Sequence, residues 1–353
     1  MKKNEFNRLV LIGNGFDLAH GLKTSYRDFL DWYMCDAFKQ FCSTTVRNYT
    51  DPLIEIKSKY YGRSSIYANT PVNFQQVLEF IQKNYFQSNN YKSDFFKRII
   101  KLHGESKWVD IEVFYFRLLK SFFLNSNFPE KHKVIKKLNE DFSFLVKKLI
   151  EYIKTINEDI LNLNKLPLET SQSILKEVIS FDNESSIVKF LNFNYTETLS
   201  VIYSIAQDEI IHIHGKASQI DENPIIFGYG DESDPEYQKI EDSGENIYLD
   251  HIKSFGYFKA NNYNKLLSFI DSKSFNVYIV GHSCGLSDRV LLNQIFEHPN
   301  CNGIEIFYHE LKDGSDNFKE ITQEISRHFK PQNKSIMRRR VMNKNSKNFI
   351  PQI

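Results

Sequence analysis

The sequence predicts an α/β fold, a doubly wound and mostly parallel sheet interrupted by a large helical insertion. Three observations carry this. Short, nearly continuous runs of β-branched and aromatic residues recur at both ends of the chain: RLVLIG (8–13), IVKFLNFN (187–194), EIIHIHG (209–215), PIIFG (224–228), NVYIVG (276–281) and GIEIFYH (303–309). Strands buried on both faces read this way, as in a parallel sheet covered by helices. The first two runs are separated by about 170 residues that read mainly as helix. FSFLVKKLIEYIKTINEDILNL (142–163) has apolar residues at three- and four-residue spacing, and KWVDIEVFYFRLLKSFFL (107–124) is a second helical segment. A single crossover needs about a dozen residues, so an inserted subdomain accounts for the separation. The sheet domain is assigned to 1–32 and 182–330, the helical insertion to 33–181, and a basic, polar tail to 331–353.

Composition narrows the function. With 353 residues, 41% hydrophobic and 25% charged, the chain is neither disordered nor fibrous. Lys+Arg (45) against Asp+Glu (44) give a net charge of +1, so there is no global electrostatic footprint for nucleic acid. No apolar run reaches the roughly 18 residues of a membrane span. The start, MKKNEFNRLVLIG, lacks a signal h-region, so a cytoplasmic enzyme is expected. Four cysteines (Cys35, Cys42, Cys284, Cys301) show no C-x-x-C spacing, which argues against a disulfide framework or a zinc site. The tail's KSIMRRRVMNKNSK reads as a solvated, poorly ordered terminus, with a nucleic-acid arm as the alternative.

Four segments could carry chemistry. In LVLIGNGFDLAHGLKTSYRDF (9–29) a strand runs into Gly13-Asn14-Gly15 with a helix opening behind it. Such a turn lets backbone N–H groups approach a pyrophosphate. The third glycine of a G-x-G-x-x-G would fall at Leu18, so hydride transfer is not favoured, and tight strand–helix packing is the bland alternative. In LNFNYTETL (191–199) Asn194 falls at the carboxyl edge of the sheet, where its amide suits a water or a sugar hydroxyl. Turning the chain into a helix near Thr196 is the other reading. In EIIHIHGK (209–216) period-two spacing puts His212 and His214 on one strand face, closed by Gly215. His214 suits a general base, and a metal pair lacks further ligands. In NVYIVGHSCGLSDRVLL (276–292) Gly281-His282-Ser283-Cys284-Gly285 matches the G-x-S-x-G nucleophile turn of α/β-hydrolases. A triad would then run Ser283, Asp316, His328. Against it, Gly285-Leu286-Ser287-Asp288 reads as a loop with an N-cap at Ser287 or Asp288 rather than as a helix.

Taken in order, IGNGFDLAHGLKTSYRDF (12–29), FNYTETL (193–199), HIHG (212–215) and GHSCGLSD (281–288) resemble the AbiH family of bacteriophage abortive-infection proteins, with a sirtuin-like NAD-binding core. Asn194 matches the asparagine of the sirtuin T-Q-N-x-D element and His214 the histidine of H-G, 20 positions apart. Gly13, Gly15 and Gly21 match the first element, Gly281 and Ser283 the last. Thr196 stands where sirtuins have aspartate, the sirtuin cysteine pairs are absent, and Tyr26 or Phe29 takes the aromatic place. The resemblance implies NAD+ as substrate without a metal, hydrolysed at the nicotinamide–ribose bond. Asn194 and His214 would be catalytic. Gly13, Asn14, Gly15, Asp17, Tyr26, Gly215, Gly281, Ser283 and Asp288 would bind the dinucleotide. Because unregulated NAD loss would kill the host, an off state is expected, with a homo-oligomer or a phage-derived or system-encoded activator as the switch. The alternatives are a module that senses NAD or an ADP-ribose derivative without hydrolysis, and the Ser283 hydrolase.

Overall fold

The computed structural model describes residues 6–43, 48–57, 75–77, 79, 91–105, 110–125, 129–163, 186–229, 232, 234–310 and 313–350. The chain forms two compact units. One contains Met1–Thr24, Ile153–Glu245 and His251–Ile353, and the other Ser25–Tyr152 and Asn246–Asp250.

The first unit is built on a five-stranded, wholly parallel sheet. Its strands are β1 (Asn7–Ile12), β4 (Val188–Asn192), β5 (Ile210–His212), β6 (Phe275–Val280) and β7 (Cys301–Phe307), in the spatial order β5-β4-β1-β6-β7. The continuous apolar text of these strands follows from burial on both faces. Leu9, Leu11, Leu191, Ile211, Val277, Ile279, Ile304 and Ile306 enter one core, with Leu266, Leu291, Ile295 and Ile325 from the surrounding helices. Val10, Ile12, Phe190, Ile210, Tyr278, Val280 and Phe307 enter the other, with Phe16, Ala19 and Leu199. Each such side chain contributes about 1.5–3 kcal/mol on burial. Counted along the chain the strands run 3-2-1-4-5, so winding reverses at β1 and leaves a switch point between β1 and β6. Open sheets of this kind bind ligands there, beyond the carboxyl ends of the strands.

PIIFG (224–228), expected as a strand, is irregular. Its Ile226 N–H donates to the carbonyl of His214 (2.9 Å), and the next stretch pairs with His251 through Tyr229 N–H (3.2 Å), so these groups are taken by loops and not by the sheet. The predicted strand 209–215 stops at His212. Residues 331–350 of the tail are ordered where a solvated terminus was expected. A helix, Lys334–Arg340, leads to Val341, which bridges in parallel to Ile304, and Phe349 bridges to Tyr308. Met342 N–H donates to Ile304 (2.9 Å) and Ile350 N–H to Tyr308 (2.7 Å), with Ile350 buried. The segment thereby satisfies the edge of β7 that would otherwise be left open.

The second unit is mainly helical. Its first helix, Tyr26–Ser43, opens with a capping box in which Ser25 N–H donates to Asp28 (3.2 Å) and Asp28 N–H to Ser25 Oγ (3.1 Å). That helix buries Phe29, Leu30, Tyr33, Met34, Ala37, Phe38 and Phe41. A domain boundary at 32/33 would cut it, and the units divide at Thr24/Ser25 instead. The helices Asp94–Glu105 and Ile111–Leu124 follow, the latter N-capped by Asp110. Lys131–Leu163 is a 33-residue helix that runs through the division at Tyr152/Ile153, far before the expected 181/182. An antiparallel ribbon of β2 (Asn48–Thr50) and β3 (Glu55–Lys57) also lies here, which the sequence did not suggest. Asn246–Asp250 joins this unit through Asn139, whose amide donates to the Ile247 carbonyl (2.7 Å) and to Asp250 (2.8 Å). No described helix is long and apolar enough to cross a membrane.

Candidate functional site

Strand register brings the motif residues to one edge. Ile12 pairs with Asn192 and Val280, and Asn192 with His212, so the four strands end level. The chain then leaves each strand through Gly13, Phe193-Asn194, Gly281-His282 and Ile213-His214. At the switch point the exit loops of β1 and β6 touch backbone to backbone. A Cβ on Gly13 would lie 2.5 Å from His282 Cα, and one on Gly281, whose φ is +71°, would lie 2.1 Å from Phe16 N. Both positions therefore exclude side chains. Gly13 N–H donates to Val280 (3.3 Å), Gly15 N–H to Gly281 (2.8 Å) and Phe16 N–H to Gly13 (2.9 Å). The Gly13 and Gly15 amides, expected to help cradle a pyrophosphate, are thus committed to protein carbonyls, and the absence of side chains at Gly13 and Gly281 permits the close packing of the two loops.

One polar cluster ties the β4 exit to this turn. Asp17, on the short helix Asn14–Ala19, is 1% exposed and accepts hydrogen bonds from the hydroxyls of Thr196 and Thr198, both at 2.7 Å. Asn194 donates its amide to the Gly13 carbonyl (3.0 Å), and its own N–H reaches Asn192 (3.0 Å). Burial pushes the Asp17 carboxyl up to about 6, against the pull of the two hydroxyls and the Asn194 amide. This clasp orders FNYTET, and the helix behind it starts at Thr198 rather than near Thr196.

A second cluster is charged. Asp288, also buried, lies 2.8 Å from Lys253 Nζ, 3.0 Å from His214 Nε2 and 3.6 Å from His282 Nε2, and all four side chains are buried. Cys284 N–H donates to His282 Nδ1 (3.0 Å), which leaves the His282 proton on Nε2, toward the carboxylate. Phe193 packs against both imidazoles, at 5.2 Å from His214 and 4.0 Å from His282 between ring centres. Burial alone would raise the Asp288 carboxyl, but Lys253 and then His214 hold it well below the usual range. Burial, followed by Lys253, lowers His214, so its imidazole is neutral at pH 7. An ionised carboxylate beside a neutral imidazole can orient a base and stabilise its protonated form.

The expected residues thus divide. Asn194 and Asp17 belong to the clasp and His214 and Asp288 to the charged cluster, while Gly13 and Gly281 join the loops that carry them. Gly215 follows His214 in a turn, its N–H donating to the His212 carbonyl (3.1 Å). Asn14 accepts from the Thr24 hydroxyl. Tyr26 belongs to the second unit, where its hydroxyl donates to Glu112 (3.2 Å). The strand ends at His212, so strand periodicity does not extend to His214. His212 sits against Asn192 (3.4 Å), and burial holds it down to about 4. Among the described residues no group of three or more His, Cys, Asp and Glu is arranged to hold a metal ion.

Ser283 is exposed, but the strained backbone of a nucleophile turn belongs to its neighbour, the buried Cys284, with φ +54°. His328 donates to the Cys284 carbonyl (2.7 Å), and Asp316 pairs with Lys344. A Ser283–His328–Asp316 triad is not assembled. The sequence reading missed Lys253 and His282. Lys253 carries no motif, and His282 was visible only as the filler of G-x-S-x-G.

Residues 9–310 match the family model for bacteriophage abortive infection AbiH. The match spans most of the chain, which belongs to this family, one of antiviral defence by abortive infection. Comparison with curated proteins returns no match.

Proposed function

We propose that this AbiH-family chain aborts infection by hydrolysing NAD+ at the nicotinamide–ribose bond, on a Rossmann-type, sirtuin-like sheet. The observation that carries the reading is the buried His214–Asp288 pair beside the switch point of a parallel sheet, where such folds take dinucleotides. A neutral base there can accept a proton from water, and an ionised partner stabilises the cation that results. The C1′–N bond breaks with its electron pair going to the pyridinium nitrogen, so nicotinamide leaves neutral and needs no acid. Water oxygen bonds to C1′, and its proton passes to the His214 nitrogen turned away from Asp288. Asn194, held by Gly13, orders the water or a ribose hydroxyl through its carbonyl oxygen. These residues fit the ribose–nicotinamide end better than the diphosphate, since the Gly13 and Gly15 amides are engaged. The exposed Ser283 hydroxyl, next to His282, is the group assigned to the diphosphate.

The test is nicotinamide release by the purified full chain, read by chromatography beside calorimetry with NAD+. Losing a preorganised group in such a site slows turnover about 10²–10³-fold. His214→Ala is expected to bind NAD+ with that loss of release. Binding without release by the unaltered chain would favour the sensing module, and neither binding nor release would reject both.

A further inference from the structure

We propose that Lys253 is a positioning residue of this site: its ammonium takes the Asp288 oxygen that would otherwise pair with His214, and so leaves the imidazole uncharged and able to receive a proton. The inference rests on the reading of His214 as proton acceptor. Two observations support it. Lys253 Nζ hydrogen-bonds Asp288 Oδ1 at 2.8 Å, and His214 Nε2 lies 3.0 Å from the same oxygen, so ammonium and imidazole compete for one acceptor. The short helix Lys253–Gly256 and the turn after it bury the lysine and expose Phe255 (45%) and Phe258 (81%), the reverse of what transfer free energies favour. An ammonium kept inside while two phenyl rings stand in water is selected for something other than stability.

The groups facing His214 come from four segments: Asp288 at the end of Leu286–Asp288, Lys253, His282 from the loop after β6, and Tyr195 from the loop after β4, its ring centre 6.3 Å away. With Lys253 present the cluster sets one ammonium and one carboxylate beside the neutral His214 ring. Without it, the carboxylate faces only the imidazoles and draws a proton onto His214.

The experiment follows nicotinamide release against pH and, separately, the ring titration of His214 by NMR, both on the full chain. Lys253→Met is expected to move the acid limb up by about one pH unit, so that turnover on that limb is about tenfold lower and is recovered in alkali. Lys253→Arg keeps the charge and is expected to keep the wild-type profile. Lys253→Met with Asp288→Asn removes both charges and leaves burial, so the limb returns to the wild-type position or lower. Equal loss at every pH in Lys253→Met, or the same profile in Lys253→Arg and Lys253→Met, would overturn the proposal. If the unaltered chain releases no nicotinamide, the functional reading fails and the ring titration decides alone. A His214 that titrates at the same pH with and without Lys253 then overturns the inference. Should Lys253→Met not fold, the double variant decides, since an imidazole that titrates higher there than in wild type contradicts it.

Discussion

Two aspartates are buried at the same edge of one sheet, and they are held in opposite ways. Asp17 is surrounded by hydroxyls and an amide, Asp288 by an ammonium and two imidazoles. Neutral donors do not offset the loss of water, so the Asp17 carboxyl rises to about 6. The buried cation does offset it, so Asp288 falls well below its ordinary value. The first arrangement is a clasp that shapes a loop. The second keeps a permanent charge next to a neutral base, the arrangement that chemistry can use.

If this contrast is right, Asp288→Asn costs the most, about 3–5 kcal/mol of folding stability in denaturant unfolding, because it strips Lys253 of its carboxylate. The pH dependence comes next. Asp17 has a folded pKa of about 6 against 3.8 unfolded, so the folded state binds the extra proton between those values. Stability is expected to increase as pH falls from 7 through 6 toward 4, by up to about 3 kcal/mol. Asp17→Asn should abolish that slope in unfolding curves taken across this range. Asp288 behaves oppositely. Its depressed pKa gives stability that is present above about pH 4 and is lost only as acid carries the pH below its unfolded value. The smallest effects belong to the clasp hydroxyls: Thr196→Val or Thr198→Val, each removing one bond to Asp17, should cost about 1–3 kcal/mol. A threonine loss larger than that of Asp288→Asn would reverse the ranking.

Much of the sheet is legible in the sequence because burial on both faces writes itself as unbroken apolar runs, as in RLVLIG and NVYIVG. PIIFG has the same composition and is not a strand, since short apolar runs do not say which hydrogen-bond partner wins. Period-two reasoning put His212 and His214 on one face, but the strand that would impose that period stops at His212. The glycines were legible as necessary but not as to purpose, because His282 and Phe16, which they admit, come from different parts of the chain. Asp17 finds Thr196 and Thr198 across about 180 positions, and Lys253 finds Asp288 across 35. Nothing local marks either pairing. The tail read as solvated because its basic residues outnumber its anchors, yet Val341, Phe349 and Ile350 dock it along β7.

The most direct test is the NAD+ pool of phage-challenged cells expressing the unaltered chain or His214→Ala, followed with nicotinamide and ADP-ribose by mass spectrometry. The account predicts that NAD+ collapses and ADP-ribose accumulates with the unaltered chain and that neither happens with His214→Ala. Pools that stay level in both, while the unaltered chain still protects the culture, would contradict it.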